Sequence, residues 1–129
     1  MGEYAVLPAD NTDLETAYTE LNYLAVDVDD GERVGQTAED TMFTIHQFKD
    51  YVGSETSCTI TADLQSDYAP STSTVYLQIY DYILTEWETI DSDGVTGADT
   101  DFELRAEIAD LTDYVDGGIM TCRIYQENV

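Results

Sequence analysis

The sequence predicts an all-β chain, an antiparallel β-sandwich or jelly roll of about seven or eight strands. Three observations predict it. Apolar residues alternate strictly with polar ones in several short segments, the period at which a strand turns one face to a core. Those segments are rich in β-branched and aromatic residues, which fit a pleated, half-buried surface. Clusters of Asp, Gly and Ser separate them, and these are turn residues. At 129 residues the chain is long enough for one domain with one core, taken as 1–129.

The clearest strand is Thr74 to Tyr80, with Val75, Leu77 and Ile79 on one face and Tyr76, Gln78 and Tyr80 on the other. Glu86 to Ile90 reads as its returning partner in a hairpin. Asp91-Ser92-Asp93-Gly94 then breaks the chain, and a loop continues past Gly97 and Asp99. Phe102, Leu104, Ala106 and Ile108 alternate with Glu103, Arg105 and Glu107, a strand with its charged side in water. Asp116-Gly117-Gly118 is a turn, after which Met120, Cys122 and Ile124 alternate with Thr121, Arg123 and Tyr125. Upstream, Cys58, Ile60, Ala62 and Leu64 point one way, and Pro70 marks a loop. Thr41 to Phe48 is a further strand, with Phe43 and Ile45 opposed to His46 and Phe48. Asp29-Asp30-Gly31 joins Tyr23–Val28 to Glu32–Thr37 as a hairpin turn. Asn11 to Leu21 carries Leu14, Ala17, Tyr18 and Leu21 at helical spacing but several β-formers, so 1–21 is either an arm or the site of one short helix.

Charge is the dominant compositional feature. Asp and Glu number 28 against 4 Lys and Arg, a net charge of −24. The bases are Arg33, Lys49, Arg105 and Arg123. Nucleic acid is disfavoured as a partner, because phosphate binding needs clustered bases. No apolar run approaches the roughly 20 residues of a membrane span. The opening Met1-Gly2-Glu3-Tyr4 has no signal-peptide pattern, and Val6 stands where N-myristoylation wants Ser or Thr. So many carboxylates repel one another in dilute buffer and are screened in molar salt. With 43% hydrophobic residues to build a core, the composition fits a protein working in strong brine. An ordinary acidic surface protein, or an acidic mimic of DNA, are the alternatives.

No catalytic constellation is legible. The one histidine, His46, lies in a strand beside packing residues, and no nucleophile-elbow motif is present. The chain is therefore expected not to be an enzyme and to need no cofactor. One His and two distant Cys do not make a zinc spacing. Calcium takes carboxylate and carbonyl oxygens, and two loops hold that chemistry: Asp27, Asp29 and Asp30 before Gly31, and Asp91 and Asp93 with Asp99 and Asp101. Turn formation uses the same residues, and neither loop matches an EF-hand. Cys58 and Cys122 both point inward, to form a disulfide if their strands are neighbours or to stay buried thiols if not. The aromatic face of Tyr76, Gln78, Tyr80 and Tyr82, with Trp87 opposite, suits a subunit interface, sugar stacking or cross-strand packing.

From Ile45 onward a resemblance emerges. It is carried by Ile45-His46-Gln47-Phe48-Lys49-Asp50, Ser73 to Tyr82, Trp87-Glu88-Thr89, Thr100-Asp101-Phe102, Tyr114-Val115-Asp116 and Cys122 to Gln126. Together these resemble a β-sandwich module of virion-associated proteins of tailed viruses, also similar to modules in microbial surface proteins. The resemblance implies a fold and no catalytic residue. Where such modules have a polar hairpin tip, this chain has Ile83-Leu84-Thr85. With the brine-adapted charge, it implies a structural protein of a tailed virus of a halophilic archaeon: a capsid decoration, neck or tail accessory. Such a protein is made in the host cytoplasm and resides in the virion. The implied partners are other virion proteins, met as a homo-oligomer or on a lattice. Carbohydrate, in a host-attachment module assisted by calcium, is the rival partner.

Overall fold

Alternating sequences become strands where one face can be buried, and seven of them are observed in the computed structural model, which describes residues 43–127 and the single positions 21 and 35. The strands are β1 (Phe43–Tyr51), β2 (Cys58–Leu64), β3 (Val75–Asp81), β4 (Glu86–Asp93), β5 (Phe102–Ile108), β6 (Val115–Asp116) and β7 (Ile119–Glu127). A 3-10 turn, Thr112–Tyr114, precedes β6. All pairings are antiparallel. One sheet runs β1-β7-β3-β4, with β6 paired to β7, and the other is the β2-β5 pair. The fold is all-β, two antiparallel sheets packed face to face as a sandwich. The expected 23–37 hairpin lies outside the described residues apart from Gly35, which is exposed and in no regular element, as does the 11–21 segment apart from Leu21, which is helical and exposed.

The core lies between the sheets. Val75, Leu77 and Ile79 of β3 are almost fully buried, and Val75 and Leu77 meet Leu104 of β5 and Ile124 of β7. Ile60, Ala62 and Leu64 of β2 and Phe102 and Ala106 of β5 close over them. A second cluster joins Ile79 to Leu111, Met120 and Cys122. Each fully buried aliphatic side chain here contributes roughly 1.5–3 kcal/mol relative to exposure. Gln126 seals one end of the core: its Nε2 donates to the Tyr68 and Ser73 carbonyls at 2.7 and 2.8 Å. Ser66 Oγ donates to its Oε1 at 2.6 Å, so the 65–74 loop is tied to β7.

Three details position the rest. The β6–β7 turn has both Gly117 and Gly118 at positive φ, as a two-residue primed hairpin turn requires. A Cβ on Gly118 would also meet the Tyr51 ring at 2.7 Å. β4 continues to Asp93, beyond the expected break after Ile90. The extension works through a bulge: Leu77 faces Asp91 while Gln78 faces Thr89, leaving Ile90 as the extra residue. Ile90 thereby packs on both core clusters. The third detail is that β3 and β7 are buried on both faces, whereas the sequence was expected to give each strand one wet side.

Candidate functional site

The outer face of the larger sheet gathers the aromatic residues that the alternation singled out. Tyr76, Gln78 and Tyr80 point to it from β3, and Trp87 and Thr89 stand across from Tyr80 and Gln78 on β4. β7 adds Thr121, Arg123 and Tyr125, of which Arg123 pairs in register with Gln78. The Arg123 guanidinium lies 4.3 Å from the centroid of the Trp87 ring and 5.0 Å from that of Tyr125. Arg123 Nε donates to Gln78 Oε1 at 2.8 Å, and Gln78 Nε2 donates to Thr89 Oγ1 at 2.9 Å. Tyr76 stacks on Tyr125 at 5.0 Å, and Tyr80 meets Tyr82 and Trp87 edge-on at 5.1 and 5.2 Å. Tyr82 and Thr121 share a hydroxyl hydrogen bond of 3.0 Å.

Of the three uses the sequence left open for this face, its burial fits cross-strand packing rather than an open aromatic platform. Gln47, Gln78, Tyr80, Thr121 and Arg123 are all buried, and Tyr76, Tyr82, Trp87 and Tyr125 are half-buried. The physical reason is Arg123. A long cation from the central strand fills the space between the rings, so they pack on it and on one another. Burial pushes its pKa down to about 10, still charged at neutral pH. Sugar stacking needs a ring face free for the ligand, and Tyr80 has none. Sequence reasoning missed Arg123 as the hub. The one available signal was a base on the polar side of an otherwise acid-rich strand pattern.

The exposed part of the group is the β3–β4 tip. Asp81, itself buried, accepts at one carboxylate oxygen from the amides of Ile83 and Leu84, both at 2.8 Å. Thr85 adopts a positive φ of 55° and donates to the Leu84 carbonyl at 2.7 Å. Tyr82 anchors the base of the loop through its amide to the Asp113 carbonyl, 2.9 Å. These bonds fix the loop with Ile83 71% and Leu84 64% exposed. Exposed aliphatic side chains on a tethered tip are a small contact surface held in one geometry.

The other candidates resolve differently. Asp91 accepts from the Ser92 amide and, across the sheets, from the Arg105 amide at 2.8 Å. Asp93 is opposed by burial, yet hydrogen bonds from Thr96 and Val95 hold its carboxyl below the usual range. Asp101 accepts from Gln65 Nε2 at 3.0 Å, and Asp99 takes a positive φ of 54° in its turn. The acids of this loop thus work as turn and strand-end acceptors. Among the described residues no group of three or more potential ligands gathers for a metal. Asp27, Asp29 and Asp30 lie outside the described residues.

Cys58 and Cys122 carry free thiols, so no disulfide joins them. Their strands belong to opposing sheets rather than being neighbours. Cys58 donates weakly to Met120 Sδ at 3.7 Å. Burial pushes the Cys122 thiol up to about 12 and raises that of Cys58, so both remain protonated and poorly nucleophilic.

His46 lies on the inner face of β1, opposite Ile124 of β7. Burial lowers its pKa to about 4, so it is neutral at pH 7. A histidine that charges at 6.5 when unfolded and only near 4 when folded stabilises the fold above 6.5, and that stability is lost as pH falls towards 4. The full difference is about 3 kcal/mol. The gap in unfolding free energy between wild type and His46→Gln should therefore change by up to that amount from pH 7 to pH 4. Carboxylate protonation is common to both proteins and cancels. A gap that stays constant with pH would show that His46 does not titrate this way.

No family model matches the chain, and neither the curated proteins nor the solved structures contain a detectably similar one.

Proposed function

We propose that the chain is a non-enzymatic structural module of a virus particle, a capsid decoration, neck or tail accessory of a tailed virus with a halophilic host, and that it acts by protein–protein contact. The observation that carries the contact reading is the Ile83-Leu84 tip. Two adjacent apolar side chains stand exposed there on a loop tied down by Asp81 and Tyr82, whereas the other large exposed hydrophobics among the described residues, Leu21, Tyr51, Val95 and Ile119, stand singly along the sequence. An exposed apolar group in fixed geometry is what a docking contact needs, because little conformational freedom is lost on binding. The charge of −24 supports the brine host, and the sequence resemblance from Ile45 onward supports the particle. The partners on this reading are other virion proteins, in a lattice or as a homo-oligomer.

The carbohydrate-binding alternative relied on a flat exposed aromatic face, and the burial of Tyr80 and Gln78 weighs against it.

The test is the double substitution Ile83→Ser with Leu84→Ser. Both side chains are exposed, so the melting temperature should barely move. Burying two aliphatic side chains at a contact contributes roughly 3–6 kcal/mol, so association with purified particles should weaken about a hundredfold or more. Wild-type occupancy by the variant would remove the tip from the interface. Discrete binding on a glycan array in molar salt, lost with Trp87→Ala, would favour the carbohydrate reading instead.

A further inference from the structure

The two sheets do not close on one another along the β4–β5 side. Among the described residues β4 ends the order of the larger sheet, and β5 pairs with β2 alone. At one point the gap is bridged, where the Arg105 amide donates to Asp91 Oδ2. Beyond it the strands part around an open groove of about 400 Å³. Ile90, Ala106 and Ile108 contribute its apolar part, and Glu88, Glu107 and Asp110 its acidic part.

The backbone of β5 is poised on this side. Arg105 turns its amide away from β2 and towards β4. In an antiparallel pair, residues two apart direct their N–H and C=O groups the same way, so Glu107 offers both of its groups to the groove. Among the described residues no strand pairs with this edge of β5 or with the outer edge of β4. An open edge of this kind is a template for an added strand.

Charge selects the occupant. Three carboxylates border the groove on a chain of net charge −24, so a second copy would bring its own repulsion. The chain's own 1–42 has Arg33 as its single base among many acids, so it carries no alternation of bases with apolar residues. We propose that this groove receives a short extended segment of a different protein, one that alternates basic with apolar residues. The segment adds to the β5 edge by backbone hydrogen bonds, sets its apolar side chains against Ile90, Ala106 and Ile108, and brings its bases beside Asp110, Glu88 and Glu107, of which Glu88 already accepts from the Tyr114 hydroxyl at 2.6 Å and Glu107 from Arg105 at 2.9 Å. This surface is separate from the Ile83-Leu84 tip, and the inference does not depend on the tip's role.

The experiment uses the full chain, at the lowest salt at which it stays folded so that charge is least screened, and three synthetic hexapeptides. One alternates Lys and Val, one has the same charge with a central proline, and one alternates Glu and Val. Calorimetry gives affinity, and amide exchange followed by NMR gives position. The Lys-Val peptide should bind and slow exchange at the Glu107 amide at least tenfold. The proline peptide, the Glu-Val peptide, and the chain carrying Glu88→Lys with Glu107→Lys should each show at least tenfold weaker binding. Equal affinity for the proline peptide would mean unspecific attraction to an acidic chain and would overturn the proposal. So would protection centred away from β5, or no binding at millimolar peptide.

Discussion

Replacing Arg123 with alanine is expected to destabilise the domain by about 2–4 kcal/mol. Three losses add. Gln78 Oε1 loses the 2.8 Å donor that Arg123 supplies in a buried setting, and an unsatisfied buried acceptor costs roughly 1–3 kcal/mol. The rings of Trp87 and Tyr125 lose a cation at 4.3 and 5.0 Å, worth about 0.5–2 kcal/mol. The space once filled by the side chain is then lined by aromatic rings with nothing between them. One term opposes these: removing a desolvated guanidinium relieves the burial that depresses its pKa to about 10. That term makes Arg123→Met the milder change, since it discards the charge and keeps most of the volume. Lysine should not rescue, because an ammonium lacks the planar Nε–H that reaches Gln78 while stacking on Trp87. Trp87 is the sole tryptophan, so its fluorescence reports the site directly. Denaturant melts followed at that signal, with a double-mutant cycle against Gln78→Ala, measure both the total and the coupling. A loss below about 0.5 kcal/mol, typical of an ordinary surface change, would mean that Arg123 is not the hub.

The prominence of Arg123 also marks the boundary of what the sequence made legible. Two-residue alternation located β2, β3, β5 and β7 and assigned Val75, Leu77 and Ile79 to the inner face, because that period depends only on local backbone geometry. The Gly117-Gly118 turn was legible for the same local reason. The end of β4 was not. Asp91 and Asp93 resemble turn residues, but Asp91 accepts the Arg105 amide of the other sheet, and a bulge at Ile90 lets the strand run on. Neither partner is near in sequence. The aromatic face was identified as a set, but whether it is an interface, a sugar platform or cross-strand packing was not decided by the alternation. Whether Tyr80 is wet depends on which strand lies beside β3. That strand is β7, which brings Arg123 from 45 positions away to Gln78. Alternation states which side a residue takes; strand order decides what it meets there.

Strand register also shows how the carboxylates act on stability, and it leads to the second large effect: the melting temperature should rise by on the order of 10 °C or more between about 0.1 and 3 M monovalent salt. Two unit charges 10 Å apart in water repel by about 0.4 kcal/mol, and 28 acids against four bases leave many such pairs unbalanced. At 0.1 M the screening length is about 10 Å; at 1 M it is about 3 Å. One pair is placed especially badly. Asp63 of β2 faces Glu103 of β5 directly in register, both exposed, and like charges across a strand pair are destabilising by a few tenths to about 1 kcal/mol. Nearby, Arg105 bonds Glu107 at 2.9 Å and so offsets only part of the acid on that face. Glu103→Lys should therefore stabilise the domain in dilute buffer and lose its advantage at 3 M, where the original repulsion is already screened. Salt also strengthens apolar burial, and comparing chloride with sulfate at equal ionic strength separates the two effects. If repulsion dominates, the two salts act alike and the Glu103→Lys gain shrinks as salt rises. A melting temperature indifferent to salt, or a gain from Glu103→Lys that persists at 3 M, would show that the acidic surface is not what sets the stability of this fold, and the brine-adapted host would lose its physical basis.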